Sequence, residues 1–267
     1  MVSDETSPVR VDVRLVQDND ALKLTLSCSD RTSTVPLSQL LSALRSLTNT
    51  VTDAAIARER AAGREISCKA GCGACCRQLV PLSVTEAQQL PQLIAGLDEA
   101  HRARVMTRFD EAISKLRESG MLRRVEEFTT LSRAEREELG WDYFRLGIPC
   151  PFLEEESCSI HPIRPVICRQ YLVTSAPVHC ANPPRNIAPV PLAADVLGAL
   201  KRVEAAGSNP PQSVPLILAL TASLGKDDSK KTVPAWMGLL LDQIKKIREE
   251  RIAAGKERDS GGKSTTA

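Results

Sequence analysis

Apolar positions along the chain change their spacing several times, and each change predicts a different element. Residues 11–28 alternate: Val11, Val13 and Leu15 share one face, and after the turn-like QDND the even positions Leu22, Leu24, Leu26 and Cys28 share another. A period of two on both sides of a turn predicts a small β-hairpin. From Thr34 the spacing becomes helical, with Pro36 near the first turn and Leu37, Leu40, Leu41, Leu44, Leu47 and Val51 on one stripe that ends at Gly63. One long amphipathic helix fits this stripe.

Ser83-Val-Thr-Glu86 has the form of a capping box and predicts a helix to about Ile94, with Pro91 kinking or shortening it. Val105, Phe109, Ile113 and Leu116 mark a further helix that stops at Gly120. A second capping box, Ser132-Arg-Ala-Glu135, opens a shorter helix before Trp141. Residues 191–206 and 234–254 also read as helices, the latter with Met237, Leu240, Leu241, Ile244 and Ile247 on one face. The polar end KERDSGGKSTTA reads as a disordered tail.

Between Ile148 and Pro191 the periodicity fails, because prolines recur through IPCPFLEEESCSIHPIRPVICRQYLVTSAPVHC. Regular ladders are excluded over most of such a stretch, so some other agent must order it. The fold class expected is mainly α with a small amino-terminal β-hairpin and an irregular, metal-stabilised cysteine-rich segment packed among helices. The corresponding division is 1–63 for hairpin and long helix, 64–185 for a metal-binding domain with a helical insertion, 186–254 for carboxy-terminal helices and 255–267 for the tail.

Composition narrows the function classes. Aromatic residues are 3% of the chain and the formal net charge is +2, so neither a basic surface nor stacking platforms for nucleic acid are expected. No apolar run approaches the roughly 20 residues of a membrane span, and MVSDETSPVR lacks the apolar core of an export signal. The compartment expected is therefore the cytoplasm, where thiols stay reduced and clustered cysteines point to metal or redox chemistry.

The chain has nine cysteines. Cys28 is in phase with the apolar face of the hairpin and reads as a small buried hydrophobe. The other eight fall into two groups, Cys68, Cys72, Cys75 and Cys76, then Cys150, Cys158, Cys168 and Cys180. Thiolates are soft ligands that select zinc, copper(I) or iron–sulfur clusters, and each tetrahedral site takes four of them. Gly71 and Gly73 suit a loop that bends around a metal. Adjacent Cys75 and Cys76 either serve two metals, their side chains diverging, or divide into one ligand and one structural thiol. Lys69, Arg77, Arg164 and Arg169 stand beside cysteines and are candidates to donate hydrogen bonds to sulfur, Arg169 first among them. His161 reads as a packing or outer-sphere residue, and Glu154, Glu155 and Glu156 as a solvated loop, because soft sites disfavour hard oxygen.

Taken together, CKAGCGACC, then CPFL, then CSIHPIRPVICR and a late Cys180 resemble the bacterial YkgJ-type cysteine-cluster proteins, described as zinc- or iron-chelating domains. Cys68, Cys72, Gly73, Cys75, Cys76, Cys150, Pro151, Cys158, Ile160, Arg164, Pro165, Cys168 and Arg169 stand at the family's signature positions, and His161 departs from the tyrosine often found there. The resemblance covers roughly residues 66–182 and implies zinc, iron or an iron–sulfur cluster as cofactor. Flagellin lysine-N-methylase shares the cluster alone, so a methyltransferase using S-adenosylmethionine or an oxidoreductase is the alternative reading. A thiol redox sensor built on Cys72-Gly-Ala-Cys75 is the third, although no thioredoxin-like βαβ pattern surrounds it.

Overall fold

The computed structural model describes residues 11–18, 21–28, 31–181, 186–205, 212–225 and 229–261, with side chains from 31 to 254 within those segments. The elements in chain order are β1 (Val11–Asp18), β2 (Ala21–Cys28), β3 (Thr34–Pro36), α1 (Leu41–Ala61), β4 (Pro81–Leu82), α2 (Val84–Ala95), α3 (Glu99–Glu118), α4 (Leu122–Glu126) and α5 (Arg133–Arg145). There follow β5 (Leu153–Glu154), β6 (Ser157–Cys158), α6 (Val166–Gln170), α7 (Pro177–Ala181), α8 (Val196–Glu204), β7 (Val214–Pro215), β8 (Lys230–Thr232) and α9 (Val233–Gly261). The described residues are mainly helical, and their strands form only two-stranded antiparallel pairs.

The hairpin expected at 11–28 is present as β1 and β2, paired from Val11 opposite Cys28 to Asp18 opposite Ala21. The burial expected of Cys28 lies outside the described side chains. The stripe is buried as expected, with Leu40, Leu44, Leu47 and Val51 fully enclosed, but the helix starts later than its spacing suggests: Thr34–Pro36 form β3 and Leu37–Leu40 a 3-10 turn before α1 begins at Leu41. Both capping boxes form: Ser83 accepts from the Glu86 amide at the start of α2, and Ser132 from the Glu135 amide at the start of α5.

The helix containing Pro91 ends at Ala95, as expected, and the proline does not shorten it. A proline removes one helix bond but does not forbid the next turn when the face it lies on is packed, and Leu90 and Ile94 beside it are buried. Other boundaries differ from expectation. The α5 helix passes Gly140 and Trp141 to reach Arg145, because Leu139 and Tyr143 are buried one turn apart. α8 begins at Val196 rather than 191, where Asp195 caps it by accepting from the Gly198 amide. The final helix extends to Gly261, through Ala253, Ala254, Lys256 and Glu257, all strong helix formers, where the expected tail had begun at 255. The proline-rich stretch is not uniformly irregular: β5, β6, α6 and α7 interrupt it.

Among the described residues two large apolar cores and a small third cluster of Ala55, Leu172 and Val190 hold these elements, and each gathers segments far apart in sequence. One large core joins α1 to α8, α9 and Val166 of α6. The other packs α2, α3, α5 and the stretch around Ile148, Phe152 and Ile160 against Leu216, Ile217 and Leu218. Pairing of β3 with β8 and of β4 with β7 stitches the two halves of the chain together. The Trp236 indole N–H donates to the Val35 carbonyl at 2.8 Å, a bond spanning 201 residues. No described helix is long and apolar enough to cross a membrane.

Candidate metal centre

The first cysteine loop leaves α1 and approaches residues 171–174 in an extended course. Ser67 N–H donates to the Val173 carbonyl at 3.0 Å, and the Cys68 thiol points at the Tyr171 carbonyl, 3.9 Å away. Gly71 turns the loop at φ +82°, a conformation that L side chains rarely adopt. Gly73 has ordinary φ but no room: a Cβ there would lie 2.8 Å from Leu153 Cδ1 and 3.1 Å from Glu156 Cα. One glycine therefore bends the loop and the other lets it press against the β5–β6 hairpin. A 3-10 turn, Ala74–Arg77, then carries Cys75 and Cys76.

The second group is brought to this loop by backbone contacts. The Cys150 amide donates to the Cys76 carbonyl at 2.7 Å, and Leu153 N–H to the Cys150 carbonyl at 2.8 Å. Cys158 lies opposite Leu153 in the hairpin, which packs through Phe152 edge-on against Phe109 of α3, ring centres 5.9 Å apart. Arg77 clasps the hairpin tip, donating to the Glu156 carboxylate and, at 3.0 Å, to the Gly73 carbonyl. Arg108 and Arg104 hold Glu154 at 2.9 and 3.2 Å. Two residues of the expected solvated acidic loop are thus engaged by arginines.

The Cys168 segment is a five-residue helix with no stability of its own. It is clamped from three sides. Glu86 on α2 accepts from the Val166 amide at 2.8 Å, Asn49 on α1 accepts from Arg169 at 2.8 Å, and Gln170 bonds both Asp195 and the Leu197 amide at the start of α8. Arg169, expected beside sulfur, directs its hydrogen bonds to oxygen instead: to Asn49 and to the carbonyls of Arg164 and Pro162. Buried guanidinium donors take carbonyl partners wherever loops offer them, and this loop offers two. Arg169 therefore fixes the course of the chain between Cys158 and Cys168.

All eight thiols of the two groups are free, and together they line two adjoining cavities. A cavity of about 480 Å³ is bordered by Cys72, Cys75, Cys76, Cys150, Cys158 and Cys168. Its neighbour, about 310 Å³, is bordered by Cys68, Cys72, Cys75, Cys168 and Cys180. Cys72, Cys75 and Cys168 face both, as do Arg164, His161 and Tyr171. The structure thus brings the two sequence groups together and redistributes them, since each cavity draws on both. Among the described residues, no three Cys, His, Asp or Glu side chains stand as a ready-closed ligand set.

Electrostatics separates the thiols. Burial pushes Cys150 up to about 12 and Cys168 well above the usual thiol range. Burial also raises Cys68, Cys158 and Cys180. Cys75 is drawn down by its contact with Cys76, which is itself pushed up by the same contact and by burial. The two neighbouring thiols, expected to diverge, are therefore in contact. His161 is lowered by partial burial and by the nearby Arg164 and Arg169. Lys69 is exposed.

Asn49, Tyr171 and the second oxygen of Glu86 are absent from the sequence-based set. The capping box announced the Glu86 contact to Ser83, but nothing local signals its reach to Val166, 80 residues away. Asn49 carried one faint sign: a polar residue beside the apolar stripe of α1.

The donor chemistry fits a soft metal: among cysteine, histidine, aspartate and glutamate, cysteine is the commonest side chain around both cavities, and the thiols are free and at most partly exposed. Comparison with known families agrees. Residues 67–184 match the family model CxxCxxCC, described as a "Putative zinc- or iron-chelating domain". No curated protein and no solved structure matches the chain.

Proposed function

We propose that the CxxCxxCC domain of this chain chelates zinc or iron, the latter as an ion or an iron–sulfur cluster, through Cys68, Cys72, Cys75, Cys76, Cys150, Cys158, Cys168 and Cys180, in the reducing setting of the cytoplasm. The observation that carries this reading is the meeting of eight free thiols around two cavities with three thiols in common. Two adjoining centres are the arrangement these cavities support best, Cys76, Cys150 and Cys158 facing one, Cys68 and Cys180 the other. These thiols would hold the metal as thiolates, giving up their protons when it binds. Bound metal supplies local folding energy and Lewis-acid or redox chemistry. The protein's own contribution is to hold both cysteine groups together through Glu86, Asn49 and Arg77.

Anaerobic purification from medium containing zinc and iron, followed by metal analysis and visible absorption, tests the reading. A colourless zinc-loaded or a brown iron-loaded protein supports it. Replacement of Cys75 or Cys168 by serine should lower metal content, whereas Cys28→Ala should leave it unchanged. Metal-free protein from that medium would overturn the proposal.

A further inference from the structure

Two segments distant in sequence meet at the border of the larger thiol cavity: Gly71 and Cys72 of the first cysteine loop, and Glu156, Ser157 and Cys158 of the β5–β6 hairpin. Arg77 bonds both. It donates to the Gly73 carbonyl at 3.0 Å and to the two Glu156 carboxylate oxygens at 3.0 and 2.5 Å. Beside it the hairpin presses so closely on Gly73 that a Cβ has no room there.

The hairpin turn is built from residues ill suited to it. Glu154 pairs with Ser157, so Glu155 and Glu156 form a two-residue loop, and their φ angles are +47° and +57°. Positive φ at both central positions is the type I′ pattern, which favours Asn-Gly because other L side chains are strained in it. Strain of this kind persists where the surroundings hold it in place. At Glu156 the holding contact is Arg77.

The two ends of the hairpin are unequally secured. At the base, Phe152 and Ile160 are buried, and Arg104 and Arg108 hold Glu154. At the tip the Arg77–Glu156 pair leaves its side chains 33% and 52% exposed, and exposed pairs are weak and screened by salt. A fixed base, a strained turn and a weak latch together make a strap that opens at its tip.

We propose that Glu156 is a positioning residue that straps the hairpin over the thiol cavity, with Arg77 as its latch, and that opening of the strap governs how fast bound metal escapes. This rests on the reading of the thiols as metal ligands. Cys158 ends the second strand of the hairpin, so opening the tip loosens a thiol as well as uncovering the cavity.

Zinc is the probe. Zinc-loaded protein is mixed with excess pyridylazoresorcinol, a chromophoric chelator, and release is followed by absorbance and expressed per metal bound, which is measured on every sample. Glu156→Gln should release zinc about two- to fivefold faster, the scale of an exposed ion pair. Glu155→Asn suits the turn without touching the latch and should slow release. Raising salt from about 0.05 M to about 1 M should speed release from the unaltered protein more than from Glu156→Gln, a difference that general loosening of the fold would not produce. In metal-free protein, Glu156→Gln should also speed alkylation of Cys158 by N-ethylmaleimide, read by mass spectrometry, so a variant that loads poorly is still informative. Zinc-loaded Glu156→Gln that releases metal at the unaltered rate, or an equal salt effect in both proteins, overturns the strap and leaves the thiol reading standing. Unaltered protein that takes up no zinc or iron overturns the thiol reading, and the strap then has nothing to retain.

Discussion

The helical core and the thiol region are built on opposite plans. α1, α8 and α9 meet through a continuous apolar face, with Leu40, Leu44, Leu47, Leu200 and Leu240 excluded from water. The thiol region instead consists of loops, a hairpin of two-residue strands and helices of five residues; a few apolar side chains such as Phe152, Ile160 and Val166 anchor it in the cores, and hydrogen bonds from neighbouring elements hold the rest. The first plan is redundant, since many side chains share the work. The second concentrates order in a few contacts and in whatever the sulfurs bind.

The sharpest way to break that comparison is to remove metal. Chelation should release hydrogen-exchange protection across 66–78 and 148–181 while α1, α8 and α9 stay protected, because metal-binding free energies of about 10–16 kcal/mol are large beside local stability. Uniform loss of protection in both regions would erase the distinction. Next in size is Leu44→Ala, which should cost about 2–5 kcal/mol in a denaturant titration, as for other fully buried leucines, with metal stoichiometry unaffected. Gly73→Ala acts on the other plan. The added methyl meets Leu153 and the Glu156 backbone, so roughly 1–3 kcal/mol is expected, together with slower metal uptake as the Cys150–Cys158 hairpin is pushed away.

The smallest effect probes the seam between the regions. Lys201 on α8 donates to the Pro81 carbonyl at 3.3 Å, and burial lowers it from 10.5 to about 8, partly offset by Glu86 and Glu204. The folded state therefore binds fewer protons than the unfolded chain between those values, and the Lys201 contribution to stability rises with pH from about 8 to 10.5. Subtracting the stability curve of Lys201→Met from that of the unaltered protein should expose this rise. A flat difference would show that Lys201 is solvated.

Legibility in the sequence follows the same division. Where burial repeats with the helical period, as from Leu37 to Val51, the stripe predicted the element, and the two capping boxes located the starts of α2 and α5 at Ser83 and Ser132. The pairs β3–β8 and β4–β7 were invisible because strands of two or three residues have no period and their partners lie far along the chain. In the candidate site the thiols announced themselves by number and spacing. Their rearrangement into two mixed sets, with Cys75 facing both cavities, depends on the Cys150-to-Cys76 backbone contact, which no local pattern encodes. Arg169 shows the limit of adjacency: its place next to Cys168 suggested sulfur, and its hydrogen bonds go to three oxygens.

The bond between Trp236 and Val35 has a consequence for biosynthesis. Its partners are 201 residues apart, an interval that a ribosome translating about 5–20 residues per second needs roughly 10–40 s to cover. For most of that time the leucine stripe of α1 is made but its partners on α8 and α9 are not, so its apolar face stays open to chaperones and to other nascent chains. Cys180, the last of the eight thiols around the two cavities, emerges before α9 does, so all eight are synthesised ahead of core closure.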